Sequence, residues 1–339
     1  MELSNDQGAA IPITILTGFL GAGKTTLMNR ILNDTHGLQI AVLVNDFGSI
    51  NIDAELIVGV EDDMISLANG CVCCQIREDL LETVEELINR PEKVEYILLE
   101  ASGVADPAGI VATFKSFKYR DLIRLDSITC VIDADQILDH QEYEHLTQLK
   151  LRQIGLADMV ILNKVELAGA EKVAQVYRWI DHHFNNIRIV ETNFCDVPYE
   201  ILMGVGRYDP AQLFLKQDAL SHVNEPEQDS DQNQGHGFRK WSYETDRPMS
   251  LEAVSQMAKK LPGGIYRCKG VVFSLEAPER RAVLQVVGRR SDVALYEDWG
   301  DDKPLTQIVA IGTPDSIDEA GLTALFEACV VENERVLAI

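Results

Sequence analysis

The chain has 339 residues and a formal net charge of −24. A balance that acidic excludes a nucleic-acid or anionic-membrane surface, since both need basic patches. No apolar run approaches the roughly 18–20 residues of a bilayer span, and residues 1–10 lack the basic flank and apolar core of a secretory leader, so the expected compartment is the cytoplasm.

Residues 11–16 read as a buried strand and residues 26–32 as the first turns of a helix. Between them GFLGAGKT, residues 18–25, fits GxxxxGK[ST], and strand–loop–helix is the context this phosphate-binding loop requires. Gly18, Gly21, Ala22 and Gly23 turn backbone N–H groups toward a phosphate, and the helix N-terminus adds partial positive charge there. Lys24 is placed to reach the β- and γ-phosphates and the Thr25 hydroxyl to ligate Mg²⁺, with Thr26 next in the nucleotide site.

A second strand, 39–44, ends in Asn45-Asp46-Phe47-Gly48. This is where a P-loop NTPase carries its first switch. Asp46 is either a carboxylate of the Mg²⁺ shell or a turn residue before Gly48. A short strand at 64–67 precedes Cys71-Val72-Cys73-Cys74 and a helix with Leu80, Val84, Leu87 and Ile88 at helical spacing. The strand at 96–99 runs into Glu100-Ala101-Ser102-Gly103. An acid at that place is a Walker-B carboxylate, and Gly103 lets the following loop come close to the γ-phosphate. Further strands are expected at 127–132, 159–162 and 187–190, with a helix at 171–180; Asn163-Lys164-Val165-Glu166 follows the strand at 159–162. This alternation predicts a mostly parallel sheet with helices on both faces, and ligands at the carboxyl ends of its strands.

Residues 221–237 are rich in Glu, Asp, Gln and Asn and read as a linker. His222 and His236 within it are isolated. A second domain, 238–339, is expected to hold strands at 239–243, 270–275, 282–287 and 308–311 and helices at 251–260 and 317–329. The expected organisation is therefore a tail, 1–10, an α/β P-loop domain, 11–220, the linker, and a smaller α/β or α+β domain.

Seven cysteines is an odd count, and three fall in one tetrapeptide. A disulfide between such close neighbours is strained. Three thiolates on a tight loop can instead converge on one thiophilic cation, Zn²⁺ or Cu(I), and leave a coordination position open for hand-over. A redox or buried thiol trio is the alternative. The cluster lies between the first switch and Glu100, so its metal affinity can respond to the nucleotide, and any such coupling is reciprocal. Cys130 sits within a strand as a small core residue; Cys195, Cys268 and Cys329 carry no pattern.

In these motifs the chain resembles the CobW-type GTPases. The resemblance rests on residues 17–26 (TGFLGAGKTT), 45–48, 70–74 (GCVCC), 100–103 with Ala105-Asp106-Pro107, 163–166, 267–270 (RCKG) and 299–304 (WGDDKP). It implies a GTPase metallochaperone handling zinc, in some branches cobalt. GTP and Mg²⁺ would sit on Lys24, Thr25 and Glu100, guanine against Asn163, Lys164 and Glu166, and zinc on Cys71, Cys73 and Cys74, for delivery to an apo-metalloprotein client. Three departures stand out. Asp46 replaces a customary Glu, Glu166 closes a motif that usually ends in Asp, and the linker has two histidines where many members have a His-rich run. Two rival readings are a GTP-binding zinc or cobalt sensor or store without directed transfer, and a P-loop kinase of a small molecule.

Overall fold

The computed structural model describes residues 10–34, 38–44, 64–66, 87, 94–114, 122–185, 187–203, 238–300 and 302–331. Asp46, Cys71, Cys73, Cys74 and the linker with His222 and His236 lie outside them. The chain divides into two compact units, Met1–Val205 and Gly206–Ile339. Among the described residues no helix is long and apolar enough to cross a membrane.

In the first unit the described elements run β1 (Ile11–Thr17), α1 (Lys24–Asn33), β2 (Ile40–Val44), β3 (Met64–Ser66), β4 (Tyr96–Glu100), α2 (Pro107–Phe114), β5 (Ile123–Asp133), α3 (Glu144–Leu156), β6 (Met159–Asn163), α4 (Val165–His183), β7 (Ile189–Thr192) and α5 (Tyr199–Leu202). The seven strands form one parallel sheet, ordered β3-β2-β4-β1-β5-β6-β7. β2, β4 and β6 are buried along their whole length and are apolar but for the last residues of β4 and β6, as a sheet covered on both faces demands.

Successive side chains alternate between the faces. Ile13 and Ile15 join a core with Ile110 and Phe114 of α2, Ile154 of α3, and Val176 and Ile180 of α4. Thr14 points the other way: its hydroxyl reaches the Leu202 carbonyl of α5 at 3.4 Å, and Ser127 Oγ donates to the same oxygen at 3.0 Å. The strand order reverses at β1, which lies between β4 and β5. The crevice at such a reversal is where open α/β sheets take their ligands, and the glycine-rich turn opens from it.

The second unit is an antiparallel sheet ordered β11-β10-β9-β12-β8, from β8 (Arg239–Thr245), β9 (Ile265–Phe273), β10 (Arg280–Val287), β11 (Arg290–Asp298) and β12 (Thr306–Gly312). Helices α6 (Leu251–Ala258) and α7 (Glu319–Glu327) share its core. Trp241 and Tyr243 of β8 pack on Phe326 of α7, ring centroids 5.3 and 5.7 Å apart. Ser250 caps α6, its hydroxyl accepting from the Ala253 N–H. Three of these elements are additional to those expected, α3, the short α5 and the edge strand β11, and β9 begins five residues earlier than predicted.

Candidate functional site

The turn after β1 is shaped by its glycines. Gly23 has φ +112°, a left-handed value, and a Cβ there would stand 2.5 Å from Asn163 Nδ2. Only glycine satisfies both conditions. Gly23 is also the N-cap of α1, and no side chain caps that end. The first N–H groups of α1 are thus offered to an anion, with the helix dipole behind them.

Lys24 is buried, 7% exposed. Its ammonium donates to the Phe19 carbonyl at 3.4 Å and lies 4.0 Å from Glu100 Oε1. Thr25, one residue on, donates its hydroxyl to both carboxylate oxygens of Glu100, at 3.2 and 3.3 Å. Glu100 is 3% exposed at the end of β4. A hydroxyl and a carboxylate at the mouth of a phosphate loop are hard oxygen donors of the kind Mg²⁺ takes together with substrate phosphates, so these residues fit that ion. Of the remaining turn residues, Gly18 and Ala22 are buried, while Gly21 and Thr26 are exposed.

Asn163 and Lys164, expected at the base of a nucleotide, both contact the phosphate loop. The Asn163 side chain donates to the Ala22 carbonyl at 3.0 Å and accepts from the Cys195 N–H at 2.9 Å. Lys164, at φ 62°, donates to the Gly21 carbonyl at 2.9 Å and to Asp133 Oδ2 at 2.7 Å. Asp133 is itself oriented by accepting from the N–H groups of Asp135 and Gln136. Glu166 is exposed in the first turn of α4, and its N–H donates to Asn193 Oδ1.

Cys195 gave no signal in the sequence. It is fully buried against the loop: its thiol donates to the Gly23 carbonyl at 3.3 Å. Burial pushes this thiol up to about 12, against smaller opposing effects of Arg30 and Lys164. Its neighbour Phe194 is 67% exposed, and both residues are left-handed, at φ 53° and 56°. Asp196 closes the turn on Arg30 of α1 at 2.6 Å. A Gly or Asn would have marked such a turn; Phe-Cys does not.

Gly103 approaches the loop from the other side. A Cβ there would stand 2.8 Å from the Leu20 nitrogen. The two backbones are therefore packed against each other at that point.

Residues 12–191 match the CobW/HypB/UreG nucleotide-binding domain and residues 238–330 the cobalamin synthesis protein cobW C-terminal domain. The chain belongs to the CobW family. Its relatives include a protein named zinc-regulated GTPase metalloprotein activator 1 in Dictyostelium discoideum, 30% identical over 87% of this chain and 70% of that one. Another is named zinc chaperone CobW in Pseudomonas aeruginosa, 31% identical over 93% and 90%. The crystal structure of Zn(II)-bound YjiA GTPase from E. coli is 22% identical, with a TM-score of 0.45 over 96% of this chain and 100% of that one. Among the described residues no cluster of three His, Cys, Asp or Glu side chains could hold a transition metal.

Proposed function

We propose that this CobW-family chain is a GTPase that binds zinc at Cys71, Cys73 and Cys74 and hands it to an apo-metalloprotein client under control of the bound nucleotide. The observation that carries the nucleotide half is the convergence of Lys24, Thr25 and Glu100 at the uncapped start of α1. The N–H groups of α1 and the turn receive the phosphates. Lys24 moves from the Phe19 carbonyl to the terminal phosphates and stabilises charge that develops as water attacks. Thr25 and Glu100 would hold Mg²⁺, which when bound neutralises phosphate charge. Asn163, Lys164 and Glu166 would take the guanine, with Glu166 steadied by its N–H donating to Asn193 Oδ1. The zinc half is supported by the CxCC spacing and by the names of the relatives. Cobalt is a second cargo the same thiolates accept.

The test is a paired measurement on purified protein. Phosphate release from GTP is followed with and without Mg²⁺. Zinc affinity is then read by competition with a chromophoric chelator in Mg²⁺GTP and in Mg²⁺GDP. Turnover, a nucleotide-dependent zinc affinity and transfer of that zinc to an apo-metalloprotein together uphold the reading. Turnover with one unchanging zinc affinity defeats the control step. A nucleotide-dependent affinity without transfer to any apo-metalloprotein leaves a sensor or store.

A further inference from the structure

Gln153 lies on α3 and is 1% exposed. Its amide nitrogen donates to two backbone carbonyls, those of Gly103 at 3.1 Å and Ala105 at 3.2 Å. Both partners are acceptors, so the amide orientation is fixed by chemistry: the nitrogen faces the loop. Arg152, the residue before it, pairs with Asp106 of the same loop at 3.1 Å. The clamped segment starts three residues after Glu100, and its Gly103 rests on the Leu20 backbone of the phosphate loop.

A buried helix position is ordinarily filled by Leu or Met, which need no partners. Here an amide is buried and both its contacts are given to one loop. The two backbones it sets in register, 103–105 and the turn at Leu20, flank the Lys24–Thr25–Glu100 cluster. On the nucleotide reading above, a terminal phosphate and its Mg²⁺ would lie beside Thr25 and Glu100, and so toward the loop after β4. The position of that loop therefore bears on a triphosphate and little on a diphosphate.

We propose that Gln153 is a positioning residue for the terminal phosphate: by holding the Gly103 and Ala105 carbonyls it sets the gap between the loop after Glu100 and the phosphate loop, and so sets the preference for a nucleoside triphosphate over the diphosphate. This rests on the nucleotide reading above. Binding of fluorescent GDP and of a fluorescent non-hydrolysable GTP analogue, both with Mg²⁺, is measured on the full chain. Failure of the wild-type protein to bind either overturns that underlying reading before any variant is made. In Gln153→Met, which keeps side-chain length and removes the donor to both carbonyls, the ratio of analogue to GDP affinity falls by at least about tenfold, the scale of losing one buried hydrogen bond. GDP affinity stays within about twofold. Equal weakening of both nucleotides, as from a purely structural role, overturns the proposal, and so does an unchanged ratio.

Gln153→Glu supplies an arm that does not depend on the Met variant folding. A protonated carboxyl can donate to one of the two carbonyls; a carboxylate can donate to neither and faces two oxygen dipoles. The triphosphate preference of this variant falls as pH rises through the titration of the new carboxyl, while the wild-type ratio stays flat. A flat ratio in both proteins refutes the positioning role.

Discussion

Thr25 and Glu100 are 75 residues apart in sequence, yet the Thr25 hydroxyl donates to both oxygens of the Glu100 carboxylate, at 3.2 and 3.3 Å. The pairing follows from the sheet. Leu16 of β1 lies opposite Glu100 of β4 in parallel register, so the start of α1 and the end of β4 arrive at the same edge. An ion bound there replaces the hydroxyl proton as the partner of a buried carboxylate.

Glu100→Gln keeps the shape of that pair and removes its charge. The Mg²⁺ concentration for half-maximal GTP hydrolysis rises by at least about tenfold, because a unit charge near a divalent ion is worth a few kcal/mol even at an effective dielectric near 20. A Mg²⁺ titration of phosphate release reads this. An unshifted midpoint removes Glu100 from the ion's surroundings.

Lys24→Ala leaves the backbone cradle of the turn and deletes its buried cation. Hydrolysis falls by about 10²–10³-fold, the scale of losing one preorganised charge at a transition state. Single-turnover phosphate release separates this from weaker binding. Turnover at the wild-type rate sinks the assignment of the loop.

Asn163→Ala leaves two buried backbone groups without partners, the Ala22 carbonyl and the Cys195 N–H. Each costs about 1–3 kcal/mol, so urea unfolding shows a loss of about 2–6 kcal/mol. Nucleotide affinity falls with it, since the turn is anchored through this side chain. A stability change under half a kcal/mol would mean that both groups find other partners.

Zinc and nucleotide are expected to be coupled. Coupling free energies of about 1–3 kcal/mol make zinc binding roughly five- to 150-fold tighter in GTP than in GDP. Cys73→Ser weakens zinc and spares GTP binding, and chelator competition in both nucleotides checks it. Affinity in every state also weakens as pH falls, because thiolates must shed protons to bind.

Alkaline pH destabilises the first unit through Cys130 and Cys195. Burial pushes each thiol from its ordinary 9.0 up to about 12. Between those values the unfolded chain has released protons that the folded chain still holds, so stability is intact below about pH 9 and declines as pH rises toward 12. The thermal midpoint of Cys195→Ser falls less steeply over pH 8.5–10.5 than that of the wild type. Parallel slopes would show that this thiol does not contribute.

The parts of the site that were legible in the sequence are those whose chemistry leaves no substitute. Gly23 is forced by its left-handed φ, Lys24 by charge, and Thr25 and Glu100 by the oxygen donors an Mg²⁺-phosphate needs. Apolar β2, β4 and β6 were equally plain. Helix α3 was not, because two of its three buried side chains are Lys150 and Gln153 and it shows no apolar stripe. Lys150 is accommodated by the Ile137 and Asp139 carbonyls, both at 2.9 Å, and by the Phe19 ring. Strand β11 was missed for the opposite reason: at the sheet edge it keeps no residue fully buried, and four of its nine are charged. The turn at Phe194 and Cys195 adopts left-handed backbone without the residues that announce it, and contacts fixed by distant partners set its shape.

The parallel register at β1 also orders events on the ribosome. The central strand is made before both of its neighbours, and Ile13 must wait for Ile97 on one side and Leu125 on the other. At about 5–20 residues per second the first of those partners is several seconds away. The site is completed later still, when Asn163 and the Cys195 turn close on Ala22 and Gly23. A nascent chain therefore carries its phosphate-binding sequence, residues 18–25, for about 170 residues of further synthesis before Cys195 is made and the site can close. The antiparallel unit is then still to come.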